Sequence, residues 1–232
     1  YHNRDIEISW IQSEDVEEVG PEPLLADVSG IIVPGGFDRR GIEGMILTAA
    51  YARTRAVPYL GLCLGMQVMV IEHARSQLGL TGAHSTEFDP DTSDPVIAYL
   101  PGQDQLAETG GTMRLGSYPC RIREESWASR AYEKELVSER HRHRYEFNND
   151  YRELLAEAGL KPSGLSPDGY LVEISELVDH PFMVGVQFHP EFLSRPDRPH
   201  PLFRDFIGVA KQVIREGGQH PLPLVNQSIN SR

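Results

Sequence analysis

The chain has 232 residues, 40% of them hydrophobic, enough to bury a sizeable core in one large α/β domain or two small ones. A net charge of -12 argues against a nucleic-acid surface and against docking on an anionic membrane, both of which need clustered Lys and Arg. No apolar run reaches the ~20 residues that span a bilayer, no signal peptide is visible, and two cysteines make no secreted disulfide framework, so a reducing, cytoplasmic setting is expected. The first residue is Tyr1, not Met, and the natural N-terminus is expected to lie upstream.

From the start, "RDIEISWIQ" alternates apolar and polar, with Ile6, Ile8 and Trp10 on one face, which predicts a half-buried strand. A connection with a short helical turn leads to Ile31, Ile32 and Val33, an apolar run cut off by Pro34, Gly35 and Gly36, as in strands buried on both faces. Residues 41 to about 54 carry Ile42, Met45, Ile46, Ala49 and Ala50 at helical spacing. "AVPYLGL" predicts a second buried strand, and Met66, Met69, Val70 and His73 predict a second helix. Residues 80 to 116 read as long loops around one strand, "PVIAYL". "YPCRIR" reads as a strand that includes Cys120 as an ordinary residue. "YRELLAEAGLKPSG" reads as a short helix closed by Gly159. "LVEISELVDHPFMVGVQF" predicts a hairpin turning near Asp179 to Pro181. A final amphipathic helix turns Leu202, Phe203, Phe206, Ile207, Ala210, Val213 and Ile214 inward. The alternation predicts an α/β fold, a doubly wound, mostly parallel sheet flanked by helices. A single domain is expected over residues 1–216, with a mobile C-terminal tail at 217–232.

Chemistry concentrates at "PYLGLCLGMQ". A free cysteine usually packs as a small hydrophobe, and Cys63 between Leu62 and Leu64 could do so. The layout Gly-x-Cys-x-Gly after a central strand and before a helix is also that of a nucleophile elbow. There the helix N-terminus would favour thiolate over thiol, and first-turn N–H groups could hold an oxyanion. "GVQFHPEF" offers His189 as a base and Glu191 as its orienter; the alternative is a histidine that merely ends a strand. "PGGF" could turn the Gly36 N–H towards the same oxyanion as Leu64, or could be a plain tight turn. "RHRHR" alone reads as a surface strand; with no further ligands at fixed spacing, no metal site is expected.

These three stretches in this order closely resemble the class I glutamine amidotransferase family. "EGMI", "STEF", "GGTMRLG", "ERHRHRYEFNN" and "HPLF" narrow the resemblance to the glutaminase domains of the CTP synthases. The matching stretches run from about residue 31 to 207. The resemblance implies that Cys63 attacks the side-chain amide of L-glutamine, that His189 relays the proton, and that Glu191 orients His189. A γ-glutamyl thioester on Cys63 is then hydrolysed to glutamate. The resemblance places the oxyanion hole at Gly36 and Leu64, and the glutamine contacts at Gly36, Leu64, Gly65, Met66, Gln67, Glu87 and Arg144. Glu87 and Arg144 carry the charges that match the ammonium and carboxylate of an amino acid.

The same resemblance implies that ammonia passes to a synthase domain, absent from this chain, which uses ATP and Mg2+ to aminate UTP to CTP. It also implies a homo-oligomer formed through that domain, GTP as activator, and no cofactor in the present domain. The family portion usually begins with one more strand and helix before "RDIEIS". Asp38 stands where the family has glycine, in a loop associated with GTP activation through a lid around Arg40. Two other readings stay open from sequence: a hydrolase of another γ-glutamyl compound on the same fold, and a non-catalytic glutamine-binding module.

Overall fold

The elements follow one another as α1 (Ser13–Val19), α2 (Glu22–Leu25), β1 (Ile31–Val33), α3 (Ile42–Arg55), β2 (Tyr59–Leu62), α4 (Leu64–Gln77), β3 (Ala83–Ser85), β4 (Asp94–Ala98), β5 (Arg114–Ile122), α5 (Trp127–Tyr132), β6 (Leu136–His143), β7 (Glu146–Phe147), α6 (Arg152–Glu157), β8 (Leu160–Leu165), β9 (Val172–Leu177), β10 (Met183–Val186) and α7 (Pro201–Ala210). The computed structural model describes residues 1–3, 5–37, 39–99 and 113–212. Seven strands form one sheet in the order β1-β2-β10-β9-β8-β5-β6, and β3, β4 and β7 form a small second sheet.

Strand alternation splits the core in two. Leu60, Leu62, Val184 and Val186 face Phe182, Leu202 and Phe206 on the side of α5 and α7. Tyr59 and Met183 face the other way, towards Met66, Met69 and Ile46 of α4 and α3. Burial on both faces is why β2 and β10 read as unbroken apolar runs. On the α4 side, Gly61 and Gly185 lie side by side in register. A Cβ on Gly185 would sit 2.6 Å from Met69 Cε, and one on Gly61 would sit 2.5 Å from the Gly65 carbonyl carbon. Their bare backbones let the start of α4 lie directly on the sheet.

The sheet is mixed, not mostly parallel. Among the described residues of this seven-stranded sheet, β1–β2 and β2–β10 are parallel, and β10–β9, β9–β8, β8–β5 and β5–β6 are antiparallel. The cause is local: short connections join β8 to β9 and β9 to β10, and such connections can only reverse the chain. The β9–β10 turn includes Asp179 at φ 64, at the place predicted.

Residues 5–12 form no strand, and Ile6, Ile8 and Trp10 are exposed. Their alternation is real, but among the described residues no strand pairs with them. Residues 16–30, read as a connection with a short helical turn, hold the end of α1, which starts at Ser13, and all of α2. β3, α5, β7 and β8 were not anticipated. β8 contains Pro162 and Gly164, which sit at breaks in its register with β9 and hid the strand in the sequence. β6 is no surface strand: Glu139, His141 and His143 point inward and are buried, while Arg140 and Arg142 point outward. α4 is buried around its whole circumference over its first eleven residues. α7 takes the predicted inward face as far as Ala210; Val213, Ile214 and the tail at 217–232 lie outside the described residues, as does Asp38.

Candidate active site

β2 ends at Leu62 and α4 begins at Leu64, so Cys63 alone makes the turn between them. It does so at φ 51 and ψ -102, a conformation that costs a non-glycine residue ~1–3 kcal/mol. Two contacts hold the turn: the Cys63 N–H donates to Val186 O at 2.7 Å, and the Tyr59 hydroxyl donates to Gly65 O at 2.7 Å. The spacing of the two flanking glycines has a steric cause. A Cβ on Gly61 would strike the backbone of Gly65, and one on Gly65 would collide with the Val33 carbonyl oxygen.

The Cys63 side chain is buried, 2% exposed, and its thiol lies 3.9 Å from Arg142 O. Gln187 Nε2 lies 3.8 Å from Sγ. Burial pushes the thiol pKa up from 9.0 to about 12; the Leu64 N–H pulls it back, and Glu87, Glu146 and Glu191 raise it further. The helix end was expected to favour the thiolate. A helix terminus contributes ~0.3–1 kcal/mol. The rise to about 12 corresponds to ~4 kcal/mol against ionisation, so burial wins and Cys63 carries its proton at rest.

His189 follows β10 after Gln187 and Phe188, where the chain turns into a short 3-10 segment, Pro190–Phe192. Its backbone N–H donates to Arg140 O at 2.8 Å, which ties it to the free edge of β6. Its Nδ1 lies 2.6 Å from Glu191 Oε1, and Phe192 stacks on the ring at 5.2 Å. With Nδ1–H donating to the carboxylate, Nε2 keeps its lone pair; Nε2 is buried and has no partner. Gly35 lies against both His189 and Cys63, and Nε2 makes no hydrogen bond to the thiol. A Cβ there would sit 2.7 Å from His189 Cε1 and 3.3 Å from Cys63 Cβ. Gly36 lies beside Leu64, whose Cδ2 would be 3.2 Å from a Cβ at 36.

Cys63, Gly36, Gln67, Glu87 and Arg144 line one cavity of about 120 Å3, together with Phe37, Met113, His143 and Tyr145. Burial raises the Glu87 carboxyl and nearby Arg144 restrains that rise. Gln67 Nε2 donates to Tyr145 O at 3.1 Å and to Gln187 Oε1 at 3.3 Å. Of the expected contacts, Met66 does not reach the cavity with its side chain, which is fully buried against Gly185. Leu64 and Gly65 are likewise packed, Leu64 at 2% exposure and Gly65 against β1, so these three can offer only backbone groups.

Sequence reasoning missed Gly35, Gln187 and a buried polar layer behind the cavity. Arg114 donates from Nη1 to Glu146 Oε1 at 3.0 Å and from Nη2 to Glu173 Oε1 at 2.8 Å. Glu146 Oε1 also meets His143 Nε2 at 2.8 Å. Burial, then Arg114, His143 and His189, press the pKa of His141 down to about 2, so that ring is neutral. One signal was available: Gln187 is a polar residue inside an apolar run, and buried polar groups need partners.

The sequence model of the class-I glutamine amidotransferases matches residues 2–209. A CTP synthase of Dehalococcoides mccartyi is 62% identical over 224 residues, 97% of this chain and 41% of that protein. A CTP synthase of Roseiflexus castenholzii is 63% identical over 221 residues, 95% of this chain and 40% of that protein. The chain thus spans about two fifths of the length of the curated relatives it matches. Among solved structures, the glutaminase domain of Trypanosoma brucei CTP synthase with bound acivicin superposes with a TM-score of 0.85 at 35% identity. That superposition covers 92% of this chain and 83% of the other. The chain belongs to the class I glutamine amidotransferase family, in its CTP synthase branch.

Proposed function

We propose that the chain hydrolyses L-glutamine to glutamate and ammonia through a thioester on Cys63. The observation that carries this reading is the bare Nε2 of His189. It is buried without a partner, its ring is fixed by Glu191 at 2.6 Å, and its Cε1 edge and the Cys63 Cβ both lie against Gly35. A thiol that holds its proton at rest needs such a base. As glutamine enters, the S–H proton moves to His189 Nε2 and sulfur bonds to the carboxamide carbon. The C=O electron pair moves onto oxygen, which the Leu64 and Gly36 N–H groups stabilise. Collapse of this intermediate breaks the C–N bond, His189 returns the proton to nitrogen, and ammonia leaves. Water, deprotonated by His189, then attacks the thioester carbon; glutamate departs and the thiol is restored. Glu87 pairs with the substrate ammonium and Arg144 with its carboxylate. By the same fit, the cavity takes acivicin, which the T. brucei domain binds.

The CTP synthase relatives support a second step outside this chain. Ammonia passes to a synthase portion that aminates ATP-activated UTP, with Mg2+ there and GTP as activator. Assembly into a homo-oligomer is proposed to run through that portion.

Quenching the chain in acid during turnover of carbon-labelled glutamine tests the thioester. Label is expected on Cys63, releasable by hydroxylamine. Glutamate formation with no label ever held on the chain would contradict covalent catalysis. Faster release from γ-glutamyl peptides than from glutamine would move the substrate to another γ-glutamyl compound.

A further inference from the structure

His143 lines the cavity beside Cys63, yet none of the steps above uses it. Its side chain is 3% exposed. One ring nitrogen is committed: Nε2 lies 2.8 Å from Glu146 Oε1. Glu146 is itself buried, 1% exposed, and Arg114 Nη1 donates to the same oxygen at 3.0 Å. Burial pushes the Glu146 carboxyl up, but the hydrogen bond from His143 Nε2–H and the hydrogen bond and charge of Arg114 favour its ionised form. An ionised carboxylate only accepts hydrogen bonds. A ring carrying one proton therefore keeps it on Nε2 and leaves a lone pair on Nδ1. That Nδ1 is buried and has no partner in the protein.

The cavity has a buried end and a mouth. Cys63 and His143 are each 2% exposed, whereas Glu87 is half-buried and Arg144 is exposed. A glutamine lying along it keeps its charged head at the mouth and brings its carboxamide to Cys63 and His143. Resting on that proposed reading, we infer that His143 is a specificity-determining residue whose Nδ1 accepts a hydrogen bond from the carboxamide N–H of the substrate. The contact turns the amide nitrogen to the His143 side and leaves the carbonyl oxygen for the Leu64 and Gly36 amides. It also separates substrate from product. Glutamate has no N–H to give, and its carboxylate would set a lone pair against the lone pair of Nδ1, close to the charge of Glu146. A buried acceptor left unpaired is costly, so a site built this way rejects the analogue that lacks the donor.

Two variants divide the ring's functions. His143→Gln can keep a donor for Glu146 but loses the Nδ1 acceptor; His143→Asn keeps an acceptor near the Nδ1 position and loses the donor. The control is 6-diazo-5-oxo-norleucine, a diazoketone that keeps the amino-acid head and side-chain carbonyl but has no carboxamide N–H. For His143→Gln, kcat/KM on glutamine is expected to fall ~10-fold or more. Alkylation of Cys63 by the diazoketone is expected to stay within ~3-fold of wild type. His143→Asn is expected to turn glutamine over faster than His143→Gln. Three results would each overturn the contact: unchanged glutamine turnover in His143→Gln, an equal loss of glutamine turnover and diazoketone alkylation, or His143→Asn slower than His143→Gln. Wild-type chain that releases no glutamate would overturn the proposed function and this contact with it. Wild-type release with an unaffected His143→Gln overturns the contact alone.

Discussion

Burial favours the protonated form of the Cys63 thiol in the free chain. With its pKa pushed up to about 12, mainly by burial, the thiol form predominates at neutral pH. A raised pKa means the proton is bound more tightly, so reactivity must climb with pH. Iodoacetamide should alkylate Cys63 in the free chain more slowly than free cysteine, with a rate still rising at pH 10. A plateau near pH 7 would show that the thiol is ionised at rest. Gly35→Ala puts a methyl group between base and nucleophile, 2.7 Å from His189 Cε1. Displacing the imidazole by about 1 Å should lower kcat by ~100-fold with the fold retained by circular dichroism. Arg144→Ala should raise KM for glutamine by ~10–100-fold and leave kcat less affected, because on the proposed reading it removes the charge that pairs with the substrate carboxylate. At this scale the proposed nucleophile, base and orienter could be picked out in the sequence, and the structure puts His189 Nδ1 2.6 Å from Glu191 and Cys63 on the turn before α4. Cys63, His189 and Glu191 sit in short, ordered motifs whose local geometry a sequence encodes. Gly35, Gln187 and His143 were not picked out, since each matters through where it sits relative to Cys63, although the Glu146 partner of His143 is near it in the chain.

At the scale of elements, the placement of α4 decides whether an elbow exists at all. Its first turn rests on Gly61 and Gly185, and its Gly65 rests on β1. Gly61→Ala drives a Cβ into backbone, which cannot rotate aside, so it should cost ~2 kcal/mol or more in urea unfolding. Gly169→Ala supplies the contrast: it meets open space and strains only a positive φ of 76, and should cost ~1 kcal/mol. Equal losses in the two would contradict the close-packing account of the elbow. Apolar runs made β1, β2 and β10 readable, and helical spacing did the same for α3 and α7. The antiparallel β9–β10 pair was readable from its turn, but the antiparallel β8–β9, β5–β8 and β5–β6 pairs were not, and the sheet was read as mostly parallel because burial on both faces looks alike in parallel and antiparallel strands. β8 was lost behind Pro162 and Gly164, which normally mark a turn. β6 carries a buried face of Glu139, His141 and His143, and an alternation of charged with titratable residues gives no hydrophobic signal.

At the scale of the whole molecule, the free edge of β6 comes round to the end of β10, joining Arg140 O to the His189 N–H at 2.8 Å and bringing Arg142 O to the thiol at 3.9 Å. Site and fold are therefore coupled, and ligand binding should stabilise the entire chain. In Cys63→Ala, which binds without turnover, glutamine at 100 times its Kd should add ~2.7 kcal/mol and raise Tm by roughly 5–10 °C. Glutamate should give much less, and Arg144→Ala added to Cys63→Ala should abolish the rise. No shift with glutamine would contradict the assignment of the cavity. The most direct test of the account is glutamate release from L-glutamine by the wild-type chain and by Cys63→Ala. The wild-type chain should show weak but measurable hydrolysis, and Cys63→Ala should lose at least ~1000-fold, because thiol, base and orienter act as a unit. Glutamate release that is unchanged in Cys63→Ala would contradict it.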